Sequence, residues 1–374
     1  LLHQTRVRHD DIACITFSGQ MMGAVPLDAQ ARPIRNAIIW ADQRSLAQER
    51  WIGERVSFED IYKITGHRLS ASYSLAKILW IRDNQPTIFA ETHKFVHAKD
   101  AMVARLTGAF VTDPSDGSSM NLYDLERGTW SGNILDAVEL DETKLPQVRQ
   151  SVDVVGAVQA SVADEVGVAA GTPVVIGGGD GPCASAGAGV IAEGSAYNYV
   201  GSSSWIALST PQPIYDPDYR TFTFGHVVPN MVMPTGTMQA AGASYQWTRD
   251  QLAVLEKEVA QRLGISPYQL MNLALEEIPA GSEGLFYLPY LMGERSPRWN
   301  PHARGALIGL TIRHTRAHMF RAVLEGITMN LRVVLDAFRA QGMHIDKMRV
   351  IGGGAQGRVW NQIMADVYGM PIHR

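Results

Sequence analysis

Val174-Val175-Ile176-Gly177-Gly178-Gly179-Asp180-Gly181-Pro182 is the stretch on which the fold turns. Its three β-branched residues read as a short strand, led in by Gly171-Thr172-Pro173 and stopped by the glycine run. Glycines at a strand end permit positive φ and let a ligand or a neighbouring backbone come close. Pro182 to Val190 is rich in small residues and reads as a helix following at once. Strand, glycine turn and helix in succession belong to an α/β protein. Asp180 stands at the joint, and two readings are open. Capping preferences make it the helix N-cap, with Pro182 in the first turn, where a missing N–H costs little. The other reading makes it a general base at a strand end facing an interdomain cleft, accepting a hydroxyl proton as a phosphoryl group moves.

Towards the N-terminus, Asp11 to Phe17 reads as a buried strand closed by Ser18-Gly19-Gln20. Ala37 to Trp40 is a second apolar run, and the polar, proline-containing segment Asp28 to Pro33 between them has the content of a turn. Gln20, Met21 and Met22, followed later by Trp40, Asp42 and Arg44, offer polar groups and an aromatic face suited to a sugar. A capped strand end and a surface Asp–Arg pair would look the same. Leu75, Ile78 and Leu79 give an apolar edge at helix spacing, with Pro86 just beyond.

Towards the C-terminus, Ala196 to Leu208 reads as two strands joined at Gly201-Ser202-Ser203-Ser204. Backbone N–H groups and small hydroxyls in such a turn can cradle phosphate, or can simply turn the chain. From about Arg316 to Phe338, Met319, Val323, Ile327, Leu331, Val334 and Phe338 recur as one buried helical stripe. Met348 to Ile351 is a strand leading into Gly352-Gly353-Gly354, and a helix opens near Gly357. Gly352, Gly354 and Gly357 satisfy the G-x-G-x-x-G spacing, which sustains an NAD-dependent dehydrogenase as a rival. That rival needs an acidic residue on a second strand about 20 positions on. The chain runs instead through Asp366, inside a predicted helix, to Gly369-Met370-Pro371.

At 374 residues, two domains are expected, and the boundary is placed at Val190, giving 1–190 and 191–374. Hydrophobic residues form 46% and charged ones 19%, a globular balance that argues against disorder. A net charge of −4 without long like-charge runs gives no footprint for nucleic acid or an anionic membrane. No apolar run reaches the roughly 18 residues of a membrane span. Two distant cysteines, Cys14 and Cys183, supply neither a disulfide framework nor a metal cluster and fit a reducing cytoplasm. The start lacks both an initiator Met and a signal-peptide layout, so the chain is expected to be cut there.

Taken in order, these segments resemble the FGGY family of carbohydrate kinases, and most of all its xylulokinase branch. ITFSGQMMGAVPLDAQARPIRNAIIWADQRS, TGHRL with SLAKILWIRDNQP, and DPSDGSSMNLYD are similar to three successive family blocks. VVIGGGDGPCASAGAGV, YNYVGSSSWIALST, GLFYLPYLMGERSPRWNPHARGALIGL and VIGGGAQGRVWNQIMADVYGMPI are similar to four more. The resemblance implies two ribonuclease-H-like domains of actin/hexokinase type flanking a cleft that closes on ATP, Mg2+ and a small sugar. It implies Asp180 as catalytic base, phosphate contacts at Gly201, Ser202 and Ser203, and Gly293, Gly353, Gly354 and Ala355 beside adenosine. Gln20, Met21 and Met22 would lie against the sugar, with Asp42 and Arg44 behind. It assigns no metal ligand within this sequence, and a homodimer stays open.

Two departures bear on the substrate and on activity. Xylulokinases usually carry Met-His where this chain has Met21-Met22, which removes a hydrogen-bonding imidazole and keeps other ketoses, polyols and sugar acids in view. The family's Asp-x-Gly-Thr phosphate loop and the segment after Pro371 are expected to lie outside this sequence, so the chain by itself is expected to turn over poorly. Besides the dehydrogenase, a non-catalytic sugar or nucleotide sensor is the remaining rival.

Overall fold

The apolar edge at Leu75, Ile78 and Leu79 forms the spine of the first core. In the computed structural model, which describes residues 2–374, all three are fully buried on α1 (Ser74–Asn84). They pack among Ile61, Phe95, Leu122 and Ile134, and Pro86 opens the next helix at a position that needs no N–H. Leu1, the first residue of the expected N-terminal domain, lies outside the described residues. A second cluster joins Val103 and Leu106 of α2 (Ala98–Thr107) to Val174 and Ile176, with Ile15 and Phe17 against it. These clusters belong to a unit made of residues through Ile191, Thr210–Tyr215 and Thr223–Met233.

β1 (Ser18–Gly19) runs parallel to β3 (Gly178–Gly179), beyond β2 (Pro173–Val175), and α3 (Asp180–Gly187) starts directly after β3. The buried strand expected over Asp11–Phe17 is not formed as one. Ala13, Cys14 and Thr16 are exposed, and pairing is intermittent. Ile15 N–H donates to Pro173 O (2.9 Å), Val175 N–H to Ile15 O (2.8 Å) and Gly178 N–H to Phe17 O (3.0 Å). Pro173 has no N–H to give, and Gly177 at φ +76° breaks the pleat between those bonds. The run Ala37 to Trp40 is likewise only a bridge, Ile38 to Ala24, with Ile38 buried and Trp40 turned outward.

The second unit comprises Ala192–Ser209, Asp216–Phe222 and Pro234–Arg374. β4 (Ala196–Val200) and β5 (Ser204–Leu208) form the expected hairpin, and β5 pairs antiparallel with β6 (Val232–Met238). α4 (Gly242–Gln251) and α5 (Pro267–Glu276) follow, then α6 (Arg316–Ala340). On α6, Val323, Ile327, Leu331, Val334 and Phe338 are buried as the stripe requires, while Met319 is half-buried. β4 is also parallel to β7 (Met348–Ile351), and β7 to β8 (Ile372–His373), with α7 (Arg358–Tyr368) as the crossover. A further strand, Phe222–Gly225, flanks β6 at the sheet edge, and from there the strand order is β6-β5-β4-β7-β8. Its parallel half places the ends of β4 and β7 side by side, and both end in glycine-containing turns. Two polar anchors lock the arrangement: Tyr368 Oη donates to Asn198 Oδ1 (2.9 Å), and Trp360 Nε1 to Thr328 Oγ1 (3.1 Å).

Candidate active site

Asp180 is the first residue of α3, and its N-cap is Gly179, so the N-cap reading of Asp180 does not hold. The carboxylate accepts the adjacent Gly181 N–H at Oδ1 (2.9 Å), and the third residue of the helix, Pro182, has no N–H to give it. The residue is exposed overall, yet partial desolvation raises the pKa of its carboxyl, against the opposing pull of the Gly181 N–H.

The glycine run is what lets this loop exist. A Cβ on Gly177 would lie 2.0 Å from Phe17 O, and one on Gly179 would lie 2.7 Å from both Cγ and Sδ of Met21. Met21 is thereby packed onto the backbone just ahead of Asp180, so two of the segments singled out in the sequence meet. Met21 is buried and Gln20 exposed, while Met22 sits at φ +64°. Its N–H donates to Ser119 Oγ (3.1 Å) and its carbonyl accepts from Lys77 Nζ (2.7 Å).

Asp42 and Arg44 form a forked pair, Nε to both oxygens at 2.9 Å and Nη2 to Oδ2 at 2.7 Å. That bond holds the Asp42 carboxyl below the usual carboxylate value. The Arg44 guanidinium lies 5.0 Å from the Trp80 ring centre, so the stacking face is Trp80. Lys77 links this pair to Met22: burial pulls its pKa down to about 8, with the nearby Asp42 charge opposing.

Beneath these loops lies a buried cluster that sequence reading does not single out. Lys99 Nζ bonds Asp100, lies 2.8 Å from Asp113 Oδ1 and 3.3 Å from Asp116 Oδ2, and all four residues are buried. Burial alone would lower the Lys99 pKa, but the three carboxylates reverse this and hold it well above the lysine value. Desolvation drives Asp116 the other way, well above the carboxylate range, and keeps His97 neutral with a pKa of about 3. The available signal was the pair of short spacings Lys99-Asp100 and Asp113-x-x-Asp116, which at surface positions would mean nothing.

In the second unit, a cleft of about 530 Å3 is lined by Gly201, Ser202, Tyr245, Tyr268, Asn272, Gly353, Gly354 and Trp360, among others. This is a volume suited to a nucleoside-sized ligand. The Gly201 carbonyl accepts from Gly242 N–H (2.9 Å) and the Ser202 carbonyl from Ala243 N–H (3.0 Å), tying the hairpin tip to the start of α4. A helix start favours anions. Tyr245 and Tyr268 stack with centroids 5.4 Å apart and 26° between planes. Ser203 and the buried Ala355 adjoin these lining residues in the chain, and Gly293 does not line the cleft. Gly293 makes a buried turn at φ +71°, next to Glu294, whose Oε1 accepts from Gln239 N–H (2.8 Å). The aromatic pair of Tyr245 and Tyr268 escaped sequence reading because the two come from different helices. β8, where a dinucleotide site would need an acidic residue, carries Ile372 and His373.

Among the described residues no helix is long and apolar enough to cross a membrane. The N-terminal domain description of the FGGY family of carbohydrate kinases matches residues 1–187, and its C-terminal domain description matches residues 196–374. The xylulose kinase of Bacillus subtilis (strain 168) is 32% identical over 368 residues, covering 98% of this chain and 72% of that protein. The gluconokinase of the same organism is 31% identical over 358 residues, covering 96% of this chain and 70% of its own. The structure of ligand-bound xylulose kinase from Lactobacillus acidophilus superposes with a TM-score of 0.88 at 27% identity, over 99% of this chain and 74% of that one. The dehydrogenase and sensor alternatives fall with these matches: the chain belongs to the FGGY family of carbohydrate kinases, ATP-dependent sugar kinases with a two-domain actin/hexokinase-like fold.

Proposed function

We infer that the chain transfers the γ-phosphoryl group of ATP directly to a hydroxyl of a small neutral ketose, a ketopentose such as xylulose, with Asp180 as general base. One observation carries the reading: a partly desolvated carboxylate at the first position of α3, inside the helix and not its cap, with Met21 packed on the glycines that flank it. Asp180 accepts the proton of the attacking hydroxyl as the sugar O–P bond forms and the bond from the γ-phosphorus to the β–γ bridging oxygen breaks, releasing ADP. No phosphoenzyme is needed. Gly201, Ser202 and Ser203 receive the phosphates, and Tyr245, Tyr268 and the Gly353-Gly354-Ala355 turn border the adenosine.

Sugar kinases of this family use ATP as donor, generally with Mg2+. The residues present do not fit a protein-held magnesium ion at the nucleotide cleft, whose described lining includes no Asp, Glu or His. The trio His97, Asp100 and Asp116 is buried against Lys99 and is no substitute. A neutral sugar is favoured over a sugar acid because Arg44, the arginine of the candidate sugar site, is already neutralised by Asp42. Met22 in place of a usual histidine argues for a substrate with one polar contact fewer at that point.

Asp180→Asn in the intact enzyme is expected to keep thermal stabilisation by sugar and by a non-hydrolysable ATP analogue, while kcat falls by roughly 10²- to 10⁴-fold. Near-normal turnover would remove Asp180 from the chemistry. Coupled ADP assays across ketopentoses, polyols and gluconate fix the acceptor, and a preference for gluconate would sink the neutral-ketose assignment.

A further inference from the structure

The buried cluster under the site has two arms, and each ends on a backbone amide of a proposed substrate loop. In one arm, Asp113 Oδ1 pairs with Lys99, while its Oδ2 accepts from Ser151 Oγ (2.6 Å) and from both the N–H (3.0 Å) and the hydroxyl of Ser115. The Ser115 hydroxyl in turn accepts Gly179 N–H (2.9 Å), one residue before Asp180. In the other arm, His97 Nε2 lies 3.0 Å from Ser74 Oγ and 3.4 Å from Ser119 Oγ. Ser74 Oγ donates to Gly23 O (2.6 Å), and Ser119 Oγ accepts Met22 N–H (3.1 Å). The arms meet at Asp100 and Asp116, each of which faces both His97 and Lys99. His97, Asp100 and Asp116 also lie close enough together to suggest a cation site, but Lys99 already supplies the positive charge there.

We propose that Ser115, held by Asp113 and Lys99, is a positioning residue for Asp180, and that the same cluster sets the Met22 loop against it through Ser119. A Ser side chain suits this because its single hydroxyl donates to a carboxylate while accepting a backbone N–H. Lys99 at Oδ1 and the Ser115 N–H at Oδ2 hold Asp113 at both oxygens without help from Ser151, and this fixes the direction of the Ser115 hydroxyl. Charged groups fully removed from solvent are costly unless well paired, so their presence under the loops calls for a role beyond filling space. The proposal rests on Asp180 being the base.

The test compares Ser115→Ala with Ser151→Ala. Both remove one hydroxyl from Asp113 Oδ2 at a buried position, but only the Ser115 side chain bonds the Asp180 loop; Ser151 meets it through its backbone carbonyl, which accepts Gly177 N–H (3.0 Å) and which the substitution keeps. Similar losses of thermal stability are expected. For Ser115→Ala, kcat falls about 10- to 100-fold, the scale of a slightly misplaced catalytic group, with KM for ATP unchanged. Ser151→Ala keeps kcat close to that of the unaltered enzyme. Ser115→Cys, whose thiol donates and accepts weakly, falls between, and it decides the comparison if Ser115→Ala does not fold. Equal kcat losses in the Ser115 and Ser151 variants, or a loss expressed in KM for ATP, overturn the proposal. Asp180→Asn assayed in parallel separates the two ideas. If it is inactive while the Ser115 and Ser151 variants match each other, the base stands and the positioning role falls; if it is active, the base itself is wrong.

Discussion

Replacing Gly177 by alanine tests the claim that the loop before Asp180 is shaped by backbone crowding. Gly177 has φ +76°, and a Cβ there would sit 2.0 Å from Phe17 O and 2.9 Å from both C and N of Phe17. The contact is with backbone, so no rotamer change relieves it. Gly171 supplies the control: φ is +90°, and nothing lies within 4 Å of an added Cβ. Alanine in the left-handed region costs roughly 1–2 kcal/mol at either position. At Gly177 the overpacking adds about 1–3 kcal/mol, for a total of roughly 2–5 kcal/mol. Displacement of Phe17 also weakens the Gly178 N–H bond to Phe17 O. For a unit near 200 residues, the difference between the variants corresponds to about 2–12 °C in the thermal transition, using 2–4 °C per kcal/mol. Scanning calorimetry on both variants, with kcat measured at a temperature where both are folded, reads the effect. Equal transition temperatures for the two variants would refute the crowding argument, because only one of them meets an obstacle.

Two further outcomes follow from the site. Desolvation raises the Asp180 pKa, so the base is lost by protonation at a higher pH than an ordinary carboxylate would be; kcat/KM for the sugar should fall with acidification through a midpoint above about 3.9. A log-rate profile showing its acid limb at or below that value would contradict the burial. Tyr268→Ala removes one ring of the stacked pair in the nucleotide cleft. An aromatic stack worth about 0.5–1.5 kcal/mol predicts a roughly 2- to 13-fold rise in KM for ATP, with KM for sugar unchanged. A variant altered only for the sugar would show that the cleft holds something other than adenosine.

The sequence was legible where structure is built from neighbours in the chain. The stripe from Val323 to Phe338, the hairpin at Gly201 and the joint at Asp180 each depend on local periodicity or turn chemistry, and each was found. Asp11–Phe17 misled because an apolar run cannot reveal that its partner is interrupted by Pro173 and kinked at Gly177. The N-cap preference for Asp180 misled more subtly. Gly179 takes the extended conformation of the cap, leaving the aspartate inside the first turn. The Lys99 cluster was invisible for a different reason. Its members come from 97–100, 113–116 and 151, and lysine and aspartate are read as solvent-facing unless tertiary structure says otherwise. Single glycine motifs remained ambiguous, as Gly352-x-Gly354-x-x-Gly357 shows, and it was their order along the chain that narrowed the family.

The polypeptide leaves one unit for the other after Ile191, Ser209, Tyr215, Phe222 and Met233. Shuffling of halves between related genes therefore faces a constraint that a single crossover near the middle cannot meet. A chimaera joined at Ile191 would take Thr210–Tyr215 and Thr223–Met233 from the wrong parent, and with them Val232, which packs into the core around Leu75 and Ile78. Inheritance of the two halves is coupled at those short stretches, so an exchange between relatives has to carry Thr210–Tyr215 and Thr223–Met233 along with the first unit.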